Sequence, residues 1–318
     1  MKNAVRTLLG GLTLATGLWA DRSDLDPALP SYEPVSGISG NLDSIGSDTL
    51  NNLMTLWAEG FQAYYPNVNI QIEGKGSSTA PPALIEGTAQ LGPMSREMKP
   101  TEIDQFEGRF GYKPTLVPVG IDALAVYVHK DNPLEALSLA EVDAIFSNTY
   151  KRGHAPVDTW GDLGLDGSWA QRGVSAYGRN SASGTYGFFK DVALARGDFR
   201  PTVKEQPGSS AVVQGISSDI YAIGYSGIGY RTSGVKALAL SEYGEAYLPT
   251  YENALTQDYP LARFLIVYVN KSPVEPMDPL TKEFLKYVLS REGQAVVLKD
   301  GYYPLTAEYA EQIRQILE

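Results

Sequence analysis

Apolar and polar positions change period repeatedly along this chain. Between Thr49 and Tyr65, Leu50, Leu53, Met54, Trp57, Phe61 and Tyr64 recur at helical spacing and form one apolar stripe, which predicts an amphipathic helix. Short β-branched or apolar runs at 69–72, 116–119, 123–128 and 264–269 read as strands. Further helical stretches fall at 82–87, 139–146, 184–195 and 279–289, and a last one starts at Ala307. Strands alternating with helices predict an α/β protein with mainly parallel sheets. Residues 21–38 are rich in Pro, Ser and Asp, lack any such period, and are expected to be a flexible lead-in.

The first twenty residues change the picture of where the chain works. Lys2 and Arg6 precede a run of Leu, Gly, Ala and Thr that ends at Ala20, before the charged pair Asp21 and Arg22. A basic start, a short apolar stretch and a small final residue predict a secretory signal peptide over 1–20. No later stretch is long and apolar enough to span a bilayer, so the mature chain is expected to be soluble and periplasmic or secreted. The absence of cysteine excludes disulfides, thiolate chemistry and a lipidated N-terminal anchor. A net charge of −11 with no basic run argues against nucleic acid and anionic membranes as partners. No cofactor is implied, and a monomer is expected.

Candidate chemistry sits at turns that open helices. Residues 179–185 read Arg-Asn-Ser-Ala-Ser-Gly-Thr, directly before the apolar Phe188, Phe189 and Val192. Ser183 and Thr185 suit N-cap positions, Gly184 permits close backbone approach, and Arg179 offers a planar fork matching a tetrahedral oxyanion. The first turn of a helix carries free N–H groups and partial positive charge, so it suits an anion. Taken alone, Ser183 would do no more than cap its own helix. The same chemistry recurs at Gly46-Ser47-Asp48-Thr49, at Gly74-Lys75-Gly76-Ser77-Ser78-Thr79 and at Gly92-Pro93-Met94-Ser95-Arg96-Glu97. In open α/β sheets, ligands lie outside the carboxyl ends of strands, where such junctions fall. The two histidines, His129 and His154, have no paired carboxylate, metal spacing or nucleophile motif around them, which argues against an enzyme.

In order and spacing, Gly46 to Leu50, Gly76 to Ser78 and Arg179 to Thr185 resemble the anion-binding segments of the periplasmic phosphate-binding proteins. These are the substrate-binding components of bacterial phosphate ABC transporters. The resemblance extends from about Ser39 to the last helix and includes Ala222 to Tyr225. It implies a two-lobed periplasmic binding-protein fold, type II-like, with phosphate between the lobes and delivery to a membrane permease without chemistry. It also implies chain crossings near Gly120–Asp122 and near Arg263. Lobe 1 is then 39–120 plus 264–318, and lobe 2 is 121–263. Carried over by position, Thr49, the backbone N–H of Leu50 and Ser77 are ligands from the first lobe. Arg179, Ser183, Gly184 and Thr185 are ligands from the second. Better-known members place an aspartate in the segment matching 92–97, to accept the ligand's proton, and here Ser95 and Arg96 stand instead. Asp122 is the candidate replacement acceptor, or else an ion-pair partner of Arg96, and Asp48 is the weaker candidate. The alternatives are a receptor for another oxyanion or a phosphonate, or a secreted interaction protein on the same fold using some of its 20 tyrosines as a surface.

Overall fold

Two main β-sheets and two smaller strand pairs form in the computed structural model, which describes residues 25–318, and the chain passes between the main sheets at two neighbouring points. The expected signal peptide lies outside the described residues. The strands are β1 (Gly40–Ile45), β2 (Val68–Glu73), β3 (Gly92–Met94), β4 (Thr115–Ala123), β5 (Ala125–His129), β6 (Ala136–Ser138), β7 (Ser175–Arg179), β8 (Lys204–Gln206), β9 (Ala222–Ser226), β10 (Val235–Ala237), β11 (Ala239–Ser241) and β12 (Ala262–Val269). The first sheet has the order β3-β12-β4, and the parallel pair β1-β2 is joined to its edge by a bridge from Ser44 to Leu91. The second has the order β10-β5-β9-β7-β8, with β11-β6 as a small parallel pair apart. Helices cover both sheets, giving a two-lobed α/β architecture.

The crossing follows from one strand breaking in two. The apolar run predicted at 123–128 is continuous in sequence, yet β4 ends at Ala123 in the first sheet and β5 begins at Ala125 in the second. Leu124 is the link, and Tyr259 donates its hydroxyl to the Leu124 carbonyl at 3.0 Å. The chain returns through β12, which pairs antiparallel with β4 from Ala262–Ala123 to Val269–Thr115. This corrects the expectation of mainly parallel sheets. β12 is antiparallel to both β3 and β4, and β5 is antiparallel to both β9 and β10. A strand leaving a sheet and the strand re-entering beside it must run in opposite directions.

Apolar faces predicted from periodicity supply the core. The helix Asn51–Tyr64 buries Leu53, Met54, Trp57 and Phe61. Phe61 packs edge-on against Phe284 of the helix Pro279–Val288 with ring centroids 5.4 Å apart. In the second lobe, Phe189 stacks on Tyr225 at 3.9 Å and buries the helix Gly184–Val192 against the sheet.

Of the segment expected as a flexible lead-in, residues 26–32 are docked, although its described residues form no helix or strand. Leu29 and Tyr32 are buried. Arg291 donates from Nε to the Leu29 carbonyl at 3.1 Å, and Asp26 Oδ2 accepts from the Ala307 N–H at 3.0 Å. Tyr32 packs edge-on against Tyr64 and Tyr287, and Arg291 donates to the backbone carbonyls of Leu29 and Pro30, contacts that the Pro-rich composition conceals.

Candidate functional site

The glycine-bearing junctions named from sequence meet one another. Gly76 N–H donates to the Gly46 carbonyl at 2.8 Å, and Ser47 N–H donates to the Pro93 carbonyl at 2.7 Å. Three strand ends of the first lobe are thereby tied side by side, each followed by a Ser or Thr. From the second lobe, the first turn of the helix Gly184–Val192 faces them. Ser78 N–H donates across to the Ala182 carbonyl at 3.2 Å. Gly76 has φ +117°, and a Cβ there would lie 2.6 Å from that same carbonyl oxygen. At Gly184 a Cβ would collide with Ser77 Oγ. Both glycines are therefore required by close approach of the lobes.

Five buried hydroxyls converge at this contact. Thr49 Oγ1 and Thr185 Oγ1 lie 2.9 Å apart, one from each lobe. Ser47 Oγ donates to Ser95 Oγ at 3.0 Å, and Ser95 Oγ lies 3.3 Å from Ser77 Oγ and 3.4 Å from Thr185 Oγ1. The Ser95 N–H donates to Ser77 Oγ at 3.0 Å. Each hydroxyl can donate or accept, so the cluster can turn several donors toward an oxyanion and still accept one proton from it. Ser183 has its oxygen committed to the backbone: Oγ accepts from the N–H groups of Thr185 and Tyr186 at 3.1 and 3.3 Å. Leu50 lies at the start of the first-lobe helix with its side chain fully buried.

Two arginine–aspartate pairs flank the hydroxyls. Arg263 donates from Nη2 to Thr185 Oγ1 at 3.0 Å and from Nη1 to the Ser95 carbonyl at 2.7 Å, touching residues of both lobes. Its Nε and Nη2 also donate to Asp122 Oδ2 at 2.9 and 2.7 Å, while Asp122 Oδ1 accepts from the Ile228 N–H at 2.8 Å. On the other flank, Arg179 Nη1 lies 3.0 Å from Asp48 Oδ2 and donates to Ser209 Oγ at 2.7 Å. Its Nη2 donates to the Pro207 carbonyl at 3.2 Å, and its buried Nε has no partner. Tyr302 and Tyr230 donate their hydroxyls to the carbonyls of Thr49 and Asp48 at 2.9 and 3.0 Å. Burial first, and nearby carboxylates second, hold both phenols well above their ordinary range, so they remain donors.

A family model described as the PBP superfamily domain matches residues 33–292. The phosphate-binding protein PstS of Pseudomonas aeruginosa is 59% identical over 314 residues, 97% of this chain and 97% of that protein. The chain belongs to the PstS family. Protein SphX of Synechococcus elongatus is similar to this PstS family member at 27% identity over 268 residues, covering 83% of this chain and 77% of its own. Among solved structures, a phosphate ABC transporter substrate-binding protein from Clostridium perfringens, with bound phosphate, superposes with a TM-score of 0.71 at 24% identity. That match covers 84% of this chain and 100% of the other. An ABC-type phosphate transport receptor from Vibrio cholerae gives 0.65 at 21% identity, covering 83% and 100%. Those two carry the fold, and PstS membership rests on the sequence match.

Several candidate site residues stand differently from expectation in this chain. The proposed Asp122–Arg96 pair does not form. In the order β3-β12-β4, β12 lies between the strand leading to Arg96 and the strand carrying Asp122, so Arg263 of β12 meets Asp122 instead. Arg96 turns away into a two-pronged pair with Glu102, 2.8 Å from each carboxylate oxygen. Burial alone would raise Glu102, but the Arg96 fork and the Lys99 N–H outweigh it and hold the carboxyl below its usual range. Asp122 has both oxygens engaged by Arg263 and Ile228, an arrangement suited to orienting the arginine. In the sequence Arg263 marks only a crossing point, and Ser209, Tyr230 and Tyr302 stand in none of the candidate junctions. The available signal was an arginine and an aspartate standing inside apolar strands, at Ala262-Arg263-Phe264 and Ile121-Asp122-Ala123. The two histidines have local partners, Asp131 for His129 and the Ala155 carbonyl for His154. A cavity of about 430 Å³ beside Lys190, Phe199 and Arg200 shares Arg179 with the named site residues and none of the five hydroxyls.

Proposed function

We propose that this protein binds one inorganic phosphate between its lobes and delivers it to the permease of an ABC transporter, without chemistry on the ligand. The observation that carries the reading is the convergence of Thr49, Ser77, Ser95 and Thr185 from both lobes at helix-opening turns, beside Arg263 and Arg179. Neutral donors and fixed dipoles of this kind suit a compact tetrahedral oxyanion. The names of the relatives, phosphate-binding protein PstS in particular, agree with that chemistry. Thr49, Leu50, Ser77 and Ser95 contact phosphate from the first lobe, and Arg179, Ser183, Gly184 and Thr185 from the second. Asp122 acts through Arg263, and Arg96 through Ser78, whose hydroxyl lies 3.4 Å from Arg96 Nη2 and whose N–H donates across to Ala182.

The first lobe runs from about residue 39 to the end of β4 and again from β12 to the C-terminus, and the second lies between them, a few residues from the expected bounds at 120/121 and 263/264, with the hinge where β4 passes into β5 and where β12 returns. The protein works as a monomer in the periplasm after loss of residues 1–20. Among the described residues, no helix is long and apolar enough to cross a membrane. Titration calorimetry on the full mature chain, stripped of bound anion by unfolding and refolding, tests the reading. Saturable binding at one phosphate per chain is expected, and phosphate should survive recovery unchanged. No heat at millimolar phosphate would overturn it.

A further inference from the structure

Asp48 makes the densest set of contacts across the lobe boundary, and none is required to build the hydroxyl cluster. It directly precedes Thr49 on the first lobe. Its Oδ2 accepts from Ser209 N–H at 2.8 Å and from Ser209 Oγ at 2.9 Å, and stands 3.0 Å from Arg179 Nη1. All three donors belong to the second lobe. Ser209 opens the helix Ser209–Ser218, whose first turn favours a negative charge. The hydroxyl of Ser209 donates to Asp48 and accepts from Arg179, so carboxylate, hydroxyl and guanidinium form a closed ring of hydrogen bonds. Gly208 lets the backbone come close, since a Cβ there would sit 3.1 Å from Asp48 Oδ1. The main chain of Asp48 is held as well, by the Tyr230 hydroxyl at 3.0 Å.

We propose that Asp48 is the closure latch of the two lobes and sets how long phosphate stays bound, a positioning residue that acts through Ser209 and Arg179. This rests on the phosphate reading above. Thr49 to Thr185 and Ser78 to Ala182 are hydrogen bonds between neutral groups, and the charged Arg263 and Asp122 each reach one second-lobe partner, Thr185 Oγ1 and the Ile228 N–H, whereas Asp48 gathers three donors on one oxygen. The hydrogen bonds of Asp48 are charge-assisted, a class about twice as strong. Separating the lobes breaks all of them together. The energy therefore falls on the opening step, and with it on dissociation. Arg179 depends on the same contact for its orientation, because Asp48, Ser209 and the Pro207 carbonyl hold both of its terminal nitrogens.

Asp48→Asn keeps the shape and removes the charge, whereas Ser209→Ala removes one partner and leaves the backbone N–H. Stopped-flow kinetics with inorganic phosphate on the full mature chain should show Asp48→Asn raising the off-rate about tenfold or more, with the on-rate within about threefold, as affinity changes within one interface fall mostly on dissociation. Ser209→Ala should raise the off-rate less, and the double variant should be no faster than Asp48→Asn alone. An unchanged off-rate, a loss confined to the on-rate, or simple additivity would overturn the latch. A second readout needs no ligand: the distance between spin labels on the two lobes should lengthen in Asp48→Asn and in Ser209→Ala. If wild type fails to bind phosphate while this distance still responds, the phosphate reading falls and the lobe contact stands. If phosphate binds normally and the distance does not respond, the latch alone falls.

Discussion

Asp122 and Arg263 face each other from neighbouring strands with 0% and 3% of their side chains exposed. Breaking such a pair by removing one charge costs roughly 3–5 kcal/mol, because the other charge stays buried and unpaired. Asp122→Asn should therefore lower the urea midpoint of unfolding. Because both Asp122 oxygens serve Arg263 and Ile228, phosphate and sulfate should lose affinity together and keep their ratio. A shrinking ratio in competition titration would return the role of proton acceptor to Asp122. Asp300 offers a pH dependence of its own. Burial pushes its carboxyl up to about 6, against the opposing pull of the Asn52 amide. A carboxyl raised on folding contributes stability that is present below its unfolded value near 4 and is lost as pH rises through about 6. After discounting for solvent around a part-buried group, Asp300→Asn should gain on the order of 1 kcal/mol at pH 7 and flatten the stability profile between pH 4 and 6. That Thr49, Ser77 and Thr185 would come together was legible, because each is a small hydroxyl near a glycine at a helix mouth and such junctions fall at one end of an α/β sheet. The partner of Asp122 was not legible, since it lies 141 positions away and is chosen by strand order.

At the scale of elements, the helix Gly184–Val192 shows how local sequence sets site geometry. Ser183 caps it and holds the N–H groups of Thr185 and Tyr186. Ser183→Ala should cost about 1 kcal/mol in chemical denaturation, as lost caps generally do, and should weaken phosphate binding by loosening the turn that carries Thr185. Gly184→Ala should leave the helix itself intact by circular dichroism and still impair binding, since the added methyl would strike Ser77 and hold the lobes apart. The long periodic elements were legible: the helices at 51–64 and 279–288 lie within two residues of their predicted bounds. The three-residue strands β3 and β8 were not, because a run that short has no period to read. Periodicity also missed the break at Leu124, where apolar residues continue unbroken although the hydrogen-bonded partner changes, and only the family resemblance put a crossing nearby, at Gly120–Asp122.

For the whole molecule, two lobes meeting over a ligand couple binding to stability. Phosphate at about 100 times its dissociation constant should add about 2.7 kcal/mol of stability, read as a concentration-dependent rise in melting temperature. The α/β class was readable from alternation, whereas the direction of the crossing strands depends on pairings between distant segments, which periodicity does not encode. The docking of residues 26–32 on Arg291 and Ala307 carries a consequence for the order of folding. Strands β5, β7, β8, β9 and β10 all lie between Ala125 and Ala237, so the second sheet can assemble from one continuous stretch of chain. The first sheet waits for β12, and its clasp waits for Arg291 and Ala307. A chain emerging from a ribosome or a translocation channel thus finishes its middle before its beginning. Until the last helices arrive, the strand ends bearing Thr49, Ser77 and Ser95 belong to an unfinished sheet, and the nascent protein cannot yet hold its cargo.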